Sequence, residues 1–168
     1  RISKKMDNLS DTSQVGDKIT TDISSWNFGG NTPITFDEHI SKSVPGYSFG
    51  QSLIASYSDY FINLTPKIVY DMGCSTGSLL AKIESRHPSK DISYVGIDIV
   101  PEMLEEAKKR KYINPDRFTF VNDDVLNMSL ESASIINSYY TLQFILPSVR
   151  QELVNRVYDS LAWGGAFF

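Results

Sequence analysis

The chain has 168 residues, of which 41% are hydrophobic and 21% charged, and this is the composition of one soluble globular domain. Its formal net charge of −4 disfavours a broad basic face for nucleic acid, and no apolar run approaches the roughly 20 residues that a membrane span needs. Cys74 is the only cysteine and there are two histidines, so neither an intrachain disulfide nor an ordinary structural zinc site is expected. We therefore expect a cytoplasmic protein without metal.

Polar and small residues dominate the first 32 positions, so that segment buries little apolar surface. We predict a flexible leader over residues 1–32 and a domain over residues 33–168. The chain starts at Arg1 rather than at methionine and stops within the apolar run 166–168. We therefore expect a domain that is truncated at its C-terminus and lacks its last strands, because folded proteins avoid an uncovered sheet edge.

Two helices are predicted next along the chain. Thr35 or Asp37 is expected to cap a short helix that runs to about Ser43, and the sequence 44–47 contains the proline and glycine of a turn. A second helix is predicted over residues 48–60.

From residue 67 onward, short β-branched runs alternate with amphipathic segments. Strands are predicted over residues 67–70, 92–97, 118–121, 134–139 and 166–168, and helices over 78–85, from Pro101 onward, and from about 148 to 163. This alternation predicts an α/β, Rossmann-like fold with a parallel sheet, helices on both faces and ligands beyond the carboxyl ends of the strands.

Finer signals define two of these helices. The pairs Glu105/Lys109 and Glu106/Arg110 have the supportive i, i+4 spacing. The segment 148–151 matches a capping box, and apolar residues recur every four positions from 149 to 161, so the last helix is predicted to end at the glycine pair 164–165.

The sharpest local signal is the segment 71–77, Asp-Met-Gly-Cys-Ser-Thr-Gly, which follows an apolar strand and precedes a helix. Glycines in such a turn allow close approach of backbone to a ligand, and the turn's N–H groups can face an anion. The candidate ligand-binding residues here are Asp71, Gly73, Cys74, Ser75 and Gly77. Taken alone, the segment also fits a nucleotide-binding Rossmann unit or a plain tight turn.

Acidic residues follow the next two predicted strands. Asp98 ends the second strand, where a carboxylate can accept hydrogen bonds from both hydroxyls of a ribose. Asp124 follows the third strand, where it can accept from an adenine amino group while Val125 packs on the ring. Because neighbouring parallel strands lie about 5 Å apart, one ligand can contact all three strand ends.

This ordered set resembles the class I S-adenosylmethionine (SAM) dependent methyltransferases. In that superfamily a D/E-x-G-x-G-x-G loop holds the methionine end of the cofactor, and acids after the second and third strands hold the ribose and mark the adenine. Ser75 stands where the middle glycine is often found. The nicotinamide fingerprint G-x-G-x-x-G is absent, which makes a dinucleotide-binding fold the lesser alternative.

A more specific resemblance over residues 34–168 is to the carboxy-SAM synthases, which convert SAM and prephenate to carboxy-SAM for wobble-uridine modification in tRNA. It is carried by the segments Thr-Phe-Asp-Glu (35–38), Ser-Val-Pro-Gly-Tyr (43–47), Val-Tyr-Asp-Met-Gly-Cys-Ser (69–75), Thr-Leu-Gln-Phe (141–144) and 147–165. The resemblance implies a cofactor pocket, with SAM, S-adenosylhomocysteine (SAH) or carboxy-SAM as occupant, that is lined by Tyr47, Gly73, Cys74, Ser75, Asp98, Ile99, Asp124 and Val125.

This chain departs from that family at two points. Tyr139 stands two residues before the Thr-Leu-Gln-Phe segment, where the family has a cofactor-binding asparagine. By that position Tyr139 is also expected to line the cofactor pocket. The family's arginine for the added carboxylate lies in a later segment that this sequence does not include.

Three functions remain open at this point: a carboxy-SAM synthase-like enzyme, an ordinary methyltransferase acting on a small molecule or RNA, and a SAM-binding module without turnover. The expected partner is a small-molecule substrate, with neither nucleic acid nor membrane bound directly and with a homodimer left open. Cys74 has no nearby base in sequence, which favours a packing role over a nucleophilic one. Tyr139, Tyr140 and Phe144 fit a pocket wall or the core equally well.

Overall fold

The computed structural model describes residues 13–14, 20–22, 25–26 and 32–168. Three short strands, β1 (Ser13–Gln14), β2 (Thr20–Asp22) and β3 (Ser25–Trp26), form a small antiparallel sheet that the sequence analysis did not predict. Apart from Thr32, with which the first helix begins, the other residues of the predicted flexible leader lie outside the described ranges.

A second sheet positions the candidate site. Its strands are β4 (Ile68–Met72), β5 (Ser93–Asp98), β6 (Phe118–Asn122), β7 (Ala133–Asn137) and β8 (Leu161–Phe167), in the order β6-β5-β4-β7-β8. Every neighbouring pair in this sheet is parallel. The predicted α/β class with a parallel, Rossmann-like sheet is therefore confirmed.

Five α-helices accompany the strands: α1 (Thr32–Ser43), α2 (Tyr47–Tyr57), α3 (Ser78–Arg86), α4 (Pro101–Lys109) and α5 (Pro147–Ser160). Single 3-10 turns lie at Ser58–Tyr60, Pro115–Arg117 and Leu142–Phe144. Among the helices in the described ranges, none combines the length and apolar character required to cross a bilayer.

Side chains of alternate residues in the strands enter two separate apolar clusters. Val69 and Ile135 belong to the cluster that contains the buried residues of α2 and α3. Tyr70 and Ile136, one position further along the same strands, belong to the cluster that contains Leu153 of α5. Because successive side chains of a strand point to opposite faces, the sheet is covered by helices on both sides, as predicted.

The boundaries of the last helix differ from the prediction at both ends. The capping box at 148–151 does not form, because Pro147 opens α5 and Leu146 is the N-cap residue without a side-chain cap. Proline suits the first helical position, since its φ is preset and its missing N–H has no helical partner there.

The strand after α5 begins earlier than predicted. Leu161 is not a helical residue but pairs with Ala133, and Ala166 pairs with Ile135, so residues 162–165 bulge out of the ladder. Gly164 has φ 78° in this bulge, a conformation that costs glycine little. The glycine therefore serves a bulge inside β8 rather than the end of a helix.

The predictions for α1 and α4 also need correction. Asp37 lies within α1, which begins at Thr32, so it does not cap that helix. In α4 the ion pairs have i, i+3 spacing: Lys108 with Glu105 at 2.9 Å and Lys109 with Glu106 at 2.7 Å. α4 ends before residue 110, and this frees that arginine to bind elsewhere.

Candidate functional site

The carboxyl ends of β4, β5 and β6 are joined by hydrogen bonds. The N–H groups of Gly73 and Cys74 both donate to the carbonyl of Ile97, at 2.8 and 2.9 Å. The side-chain amide of Asn122, at the end of β6, donates to the carbonyl of Asp98 at 2.9 Å. The three loops that the sequence analysis singled out therefore start from one continuous edge of the sheet.

Asp98 fastens the segment after β4 to the end of β5. One of its carboxylate oxygens accepts from the N–H of Ser75 at 2.8 Å and the other from the N–H of Val100 at 2.9 Å. Burial raises the pKa of Asp98, while the hydrogen bonds from backbone amides act in the opposite direction. The carboxylate of Asp98 thus binds the loop after β4 and the loop after β5, and its remaining lone pairs can accept further hydrogen bonds.

Asp71 is a nearly buried carboxylate beside Asp98, with 3% of its surface exposed. It lies inside β4, paired with Gly96 and Asn137, and not in the loop where it was predicted. Burial, followed by repulsion from Asp98, raises the pKa of Asp71 to about 7. Burial and the neighbouring charge of Asp98 thus both disfavour the ionised form of this carboxyl group.

The loop 73–77 owes its shape to left-handed backbone. Gly73 has φ 74° and Gly77 has φ 72°. A Cβ at Gly73 would lie 2.3 Å from the hydroxyl oxygen of Thr141, and one at Gly77 would lie 2.5 Å from that of Tyr112. On the Cβ side of these two glycines, the space is therefore occupied by the side chains of Thr141 and Tyr112 and is not open to a ligand.

Ser75 adopts the conformation of the glycine that it replaces, with φ 52°. A non-glycine residue in this region stores backbone strain of about 1 kcal/mol. The hydroxyl of Ser75 contacts the sulfur of Met103 at 3.3 Å. The departure from the family pattern is accommodated without a change in the course of the loop.

The backbone strain at Ser75 should lower the stability of the protein. Ser75→Gly should raise the free energy of unfolding by about 0.5–1 kcal/mol, because glycine adopts the left-handed region at no steric cost. As a control, Ser85→Gly in α3 should lower it by about 0.5–1 kcal/mol, because glycine weakens a helix. Urea unfolding of both variants checks this, and a loss of stability in Ser75→Gly would contradict the strain.

Three tyrosines lie together beside this edge of the sheet. The ring of Tyr47 is 5.2 Å from that of Tyr139 and 5.6 Å from that of Tyr140. The hydroxyl of Tyr139 donates to the carbonyl of Tyr47 at 2.9 Å, and it occupies the space where a Cβ of Gly50 would stand, 2.1 Å away. Tyr139 thus ties α2 to the segment after β7.

Tyr47 itself is buried, with 8% of its surface exposed. Its pKa is raised by burial first and then by the negative charges of Asp71 and Asp37, while a hydrogen bond with Gln51 acts in the opposite direction. The structure therefore brings Tyr47 and Tyr139 together near Asp71.

The remaining predicted residues differ in how accessible they are. Cys74 is buried and its pKa is raised by burial and by nearby carboxylates, which suits the packing role. Ile99 exposes 65% of its surface, so its side chain is accessible to a ligand. Asp124 accepts from the N–H of Leu126 at 2.9 Å, and Val125 packs into the α5-side cluster with 9% exposed, so its side chain offers little surface to a ligand.

Sequence reasoning missed two polar residues at the end of β7. Asn137 donates from its side-chain nitrogen to the carbonyl of Tyr70 at 2.9 Å, but its side-chain oxygen is fully buried without a partner. The hydroxyl of Ser138 is likewise buried and unpartnered. Because Asn137 pairs in register with Asp71, both side chains lie on the same face of the sheet. The available signal was a polar pair that ends an apolar strand.

A groove of about 520 Å³ lies among α1, α2 and α3. Tyr47 is the one predicted site residue that lines it, and its other walls are small and polar residues together with Asp37, Lys82, Arg86 and Arg110. Among the described residues, no group of three or more His, Cys, Asp or Glu side chains is arranged to hold a metal ion.

The chain is similar to known proteins both in its domain family and in its sequence. Residues 69–165 match the methyltransferase domain family. The chain is 38% identical over 126 residues to a carboxy-S-adenosyl-L-methionine synthase of Wolinella succinogenes, covering 75% of this chain and 52% of that protein. It is 37% identical over 132 residues to the enzyme of the same name from Desulfotalea psychrophila, covering 77% and 54%. The chain thus spans about half the length of these curated relatives.

Solved structures agree on the fold. The plantazolicin methyltransferase BpumL in complex with SAH superposes with a TM-score of 0.61 at 20% identity, covering 79% of this chain and 49% of that chain. An O-methyltransferase family protein from Burkholderia thailandensis superposes with a TM-score of 0.61 at 19% identity, covering 81% and 40%.

Proposed function

This chain belongs to the methyltransferase domain family, and on that premise we propose that it is a SAM-dependent transferase whose cofactor binds across the ends of β4, β5 and β6. The observation that carries the proposal is the pair of carboxylates at neighbouring strand ends, Asp71 buried and Asp98 partly buried, both with a pKa raised first by burial. Buried carboxylates are costly unless a cation or several donors accompany them.

The side chains present fit such a cofactor. Its methionine ammonium and ribose hydroxyls are donors, and this edge of the sheet offers two buried acceptors without partners, the side-chain oxygen of Asn137 and the hydroxyl of Ser138. The buried carboxylate of Asp71 lies beside them. Asp98 would accept the ribose hydroxyls on the lone pairs that its two backbone contacts leave free. Ile99 would cover the adenine with its exposed side chain.

The residues of this chain would act through orientation. Sulfonium chemistry supplies the activated leaving group when the cofactor is bound. Tyr47 and Tyr139 would close the methionine end against α2, and Asp71 would hold the donor groups there. Exclusion of water by the tyrosine cluster would keep the transferred group for the intended acceptor.

The finer proposal is that the reaction resembles that of a carboxy-SAM synthase, with prephenate or a similar small acid as second substrate. The supporting observations are the identity of 38% and 37% to two enzymes of that name and the Ser-Val-Pro-Gly-Tyr and Thr-Leu-Gln-Phe segments. Under this proposal the protein is cytoplasmic, contacts neither membrane nor nucleic acid, and serves tRNA modification through its small-molecule product, with a homodimer left open.

An ordinary methyltransferase is the second candidate, and Tyr139 favours it, because this tyrosine stands where carboxy-SAM synthases have an asparagine. A SAM-binding module without turnover is the third.

Mass spectrometry of the small molecule carried through purification separates these candidates. Carboxy-SAM supports the synthase, whereas SAM or SAH in its place supports the ordinary methyltransferase. Protein that retains and binds none of the three compounds would overturn the proposal. Protein that binds added SAM but leaves it unchanged with prephenate or a panel of acceptors would support the third candidate.

A further inference from the structure

Thr76, in the middle of the loop 73–77, is held by two charged side chains from outside the strand ends. Its hydroxyl donates to Asp37 of α1 at 2.6 Å. Arg110, just beyond α4, donates from Nε to the Thr76 carbonyl at 2.8 Å and from Nη2 to its hydroxyl oxygen at 3.2 Å. Arg110 also forms an ion pair with Asp37. We call Asp37, Thr76 and Arg110 the latch.

The contacts of the latch fall on the middle residue of the loop, where the backbone adopts its least common conformations. Thr76 is 3% exposed and stands between Ser75 and Gly77, both of which have positive φ. The N–H of Ser75 is the group that Asp98 accepts. A shift of Thr76 would therefore move the donor that fixes Asp98, the expected ribose acceptor.

Two of the latch side chains are accessible to solvent, with 45% of Asp37 and 28% of Arg110 exposed. Ion pairs at such positions contribute little to global stability. The forked contact of Arg110 and the single hydrogen bond of Asp37 to the same threonine restrict the geometry of Thr76 more than they add free energy.

We propose that Asp37 and Arg110 are positioning residues that hold the loop 73–77 in its cofactor-binding shape and couple that shape to α1. This inference rests on the proposed function. Neither residue touches the strand ends directly, so each acts through Thr76.

The test is calorimetric titration of SAH into Asp37→Ala, Arg110→Gln and the double variant. Each single change should weaken SAH binding about tenfold. The double variant should weaken it little further, because both residues act on the same threonine. Arg110→Lys keeps the charge but loses the fork and should resemble Arg110→Gln. Glu38→Gln in α1 and Lys109→Gln in α4, which remove exposed charges beside the latch, should stay within about twofold of the parent.

Hydrogen exchange of peptides covering residues 73–77 provides a second readout, made without ligand. Faster exchange in Asp37→Ala and Arg110→Gln than in the two controls supports the latch. Unchanged loop exchange overturns it, as does unchanged SAH affinity accompanied only by a lower Tm. If the parent protein binds no SAH, the proposed function fails, and loop exchange still decides whether the latch holds the loop.

Discussion

Asp98→Ala is expected to weaken SAH binding by about 100-fold or more. The change removes the proposed ribose acceptor and also releases the N–H groups of Ser75 and Val100, which the carboxylate now accepts. Hydrogen bonds to a charged group contribute about 1.5–3 kcal/mol each, so two ribose contacts account for a loss of this size. Calorimetric titration with SAH measures it.

The control for this change is Asp91→Ala, since Asp91 is exposed and precedes the opposite end of β5. It should leave the SAH affinity within about twofold of the parent. Asp98→Asn, which keeps one acceptor for a backbone N–H, separates loss of binding from loss of folding. An Asp98→Ala protein that folds and binds SAH like the parent would mean that the ligand does not contact this strand end.

Asp71→Asn should stabilise the unliganded protein at pH 8 and weaken its affinity for SAH. Burial and Asp98 disfavour the charge of Asp71 and raise its pKa in the folded state to about 7, from the usual 3.8. Stability from this group is therefore complete below about pH 4 and is lost as the pH rises through 7. The amide carries no such penalty, so we expect the free energy of unfolding at pH 8 to rise by about 2–4 kcal/mol.

The pH dependence of that gain identifies its cause. Urea unfolding between pH 4 and pH 8 should show a benefit of Asp71→Asn that grows with pH and vanishes near pH 4. The exposed Asp116→Asn should show no such trend. SAH affinity should fall about tenfold in Asp71→Asn, because an amide binds an ammonium more weakly than a carboxylate does. A pH-independent gain would assign the effect to packing instead of charge.

The sequence predicted the architecture well because hydrophobic periodicity is local. Each strand of the five-stranded sheet has its own apolar run, and helices have apolar residues at helical spacing. The type and the order of these elements could therefore be predicted from local sequence. Some errors were local, such as the capping box that Pro147 replaces, and others fell where a non-local contact decides the outcome. Leu161 fits a helical stripe, but pairing with Ala133 and the bulge at Gly164 place it in β8.

For the candidate site, the strand ends were predictable but the detailed contacts were not. Parallel strands bring Gly73 and Asp98 to one edge whatever the side chains do, and the structure has them there. The link from Thr76 to Asp37 joins residues 39 positions apart, and Arg110 is a further 34 positions along the chain. No periodicity encodes such pairs. The buried acceptor of Asn137 is likewise visible only once its neighbours are placed.

An amide NMR titration with SAH tests whether the three neighbouring strand ends form one cleft for an adenosine-bearing ligand. We expect shifts concentrated in residues 73–77, 98–100 and 122–126, at the carboxyl ends of β4, β5 and β6. Shifts confined to the groove among α1, α2 and α3, or no shifts at saturating SAH, would contradict a cleft at the strand ends.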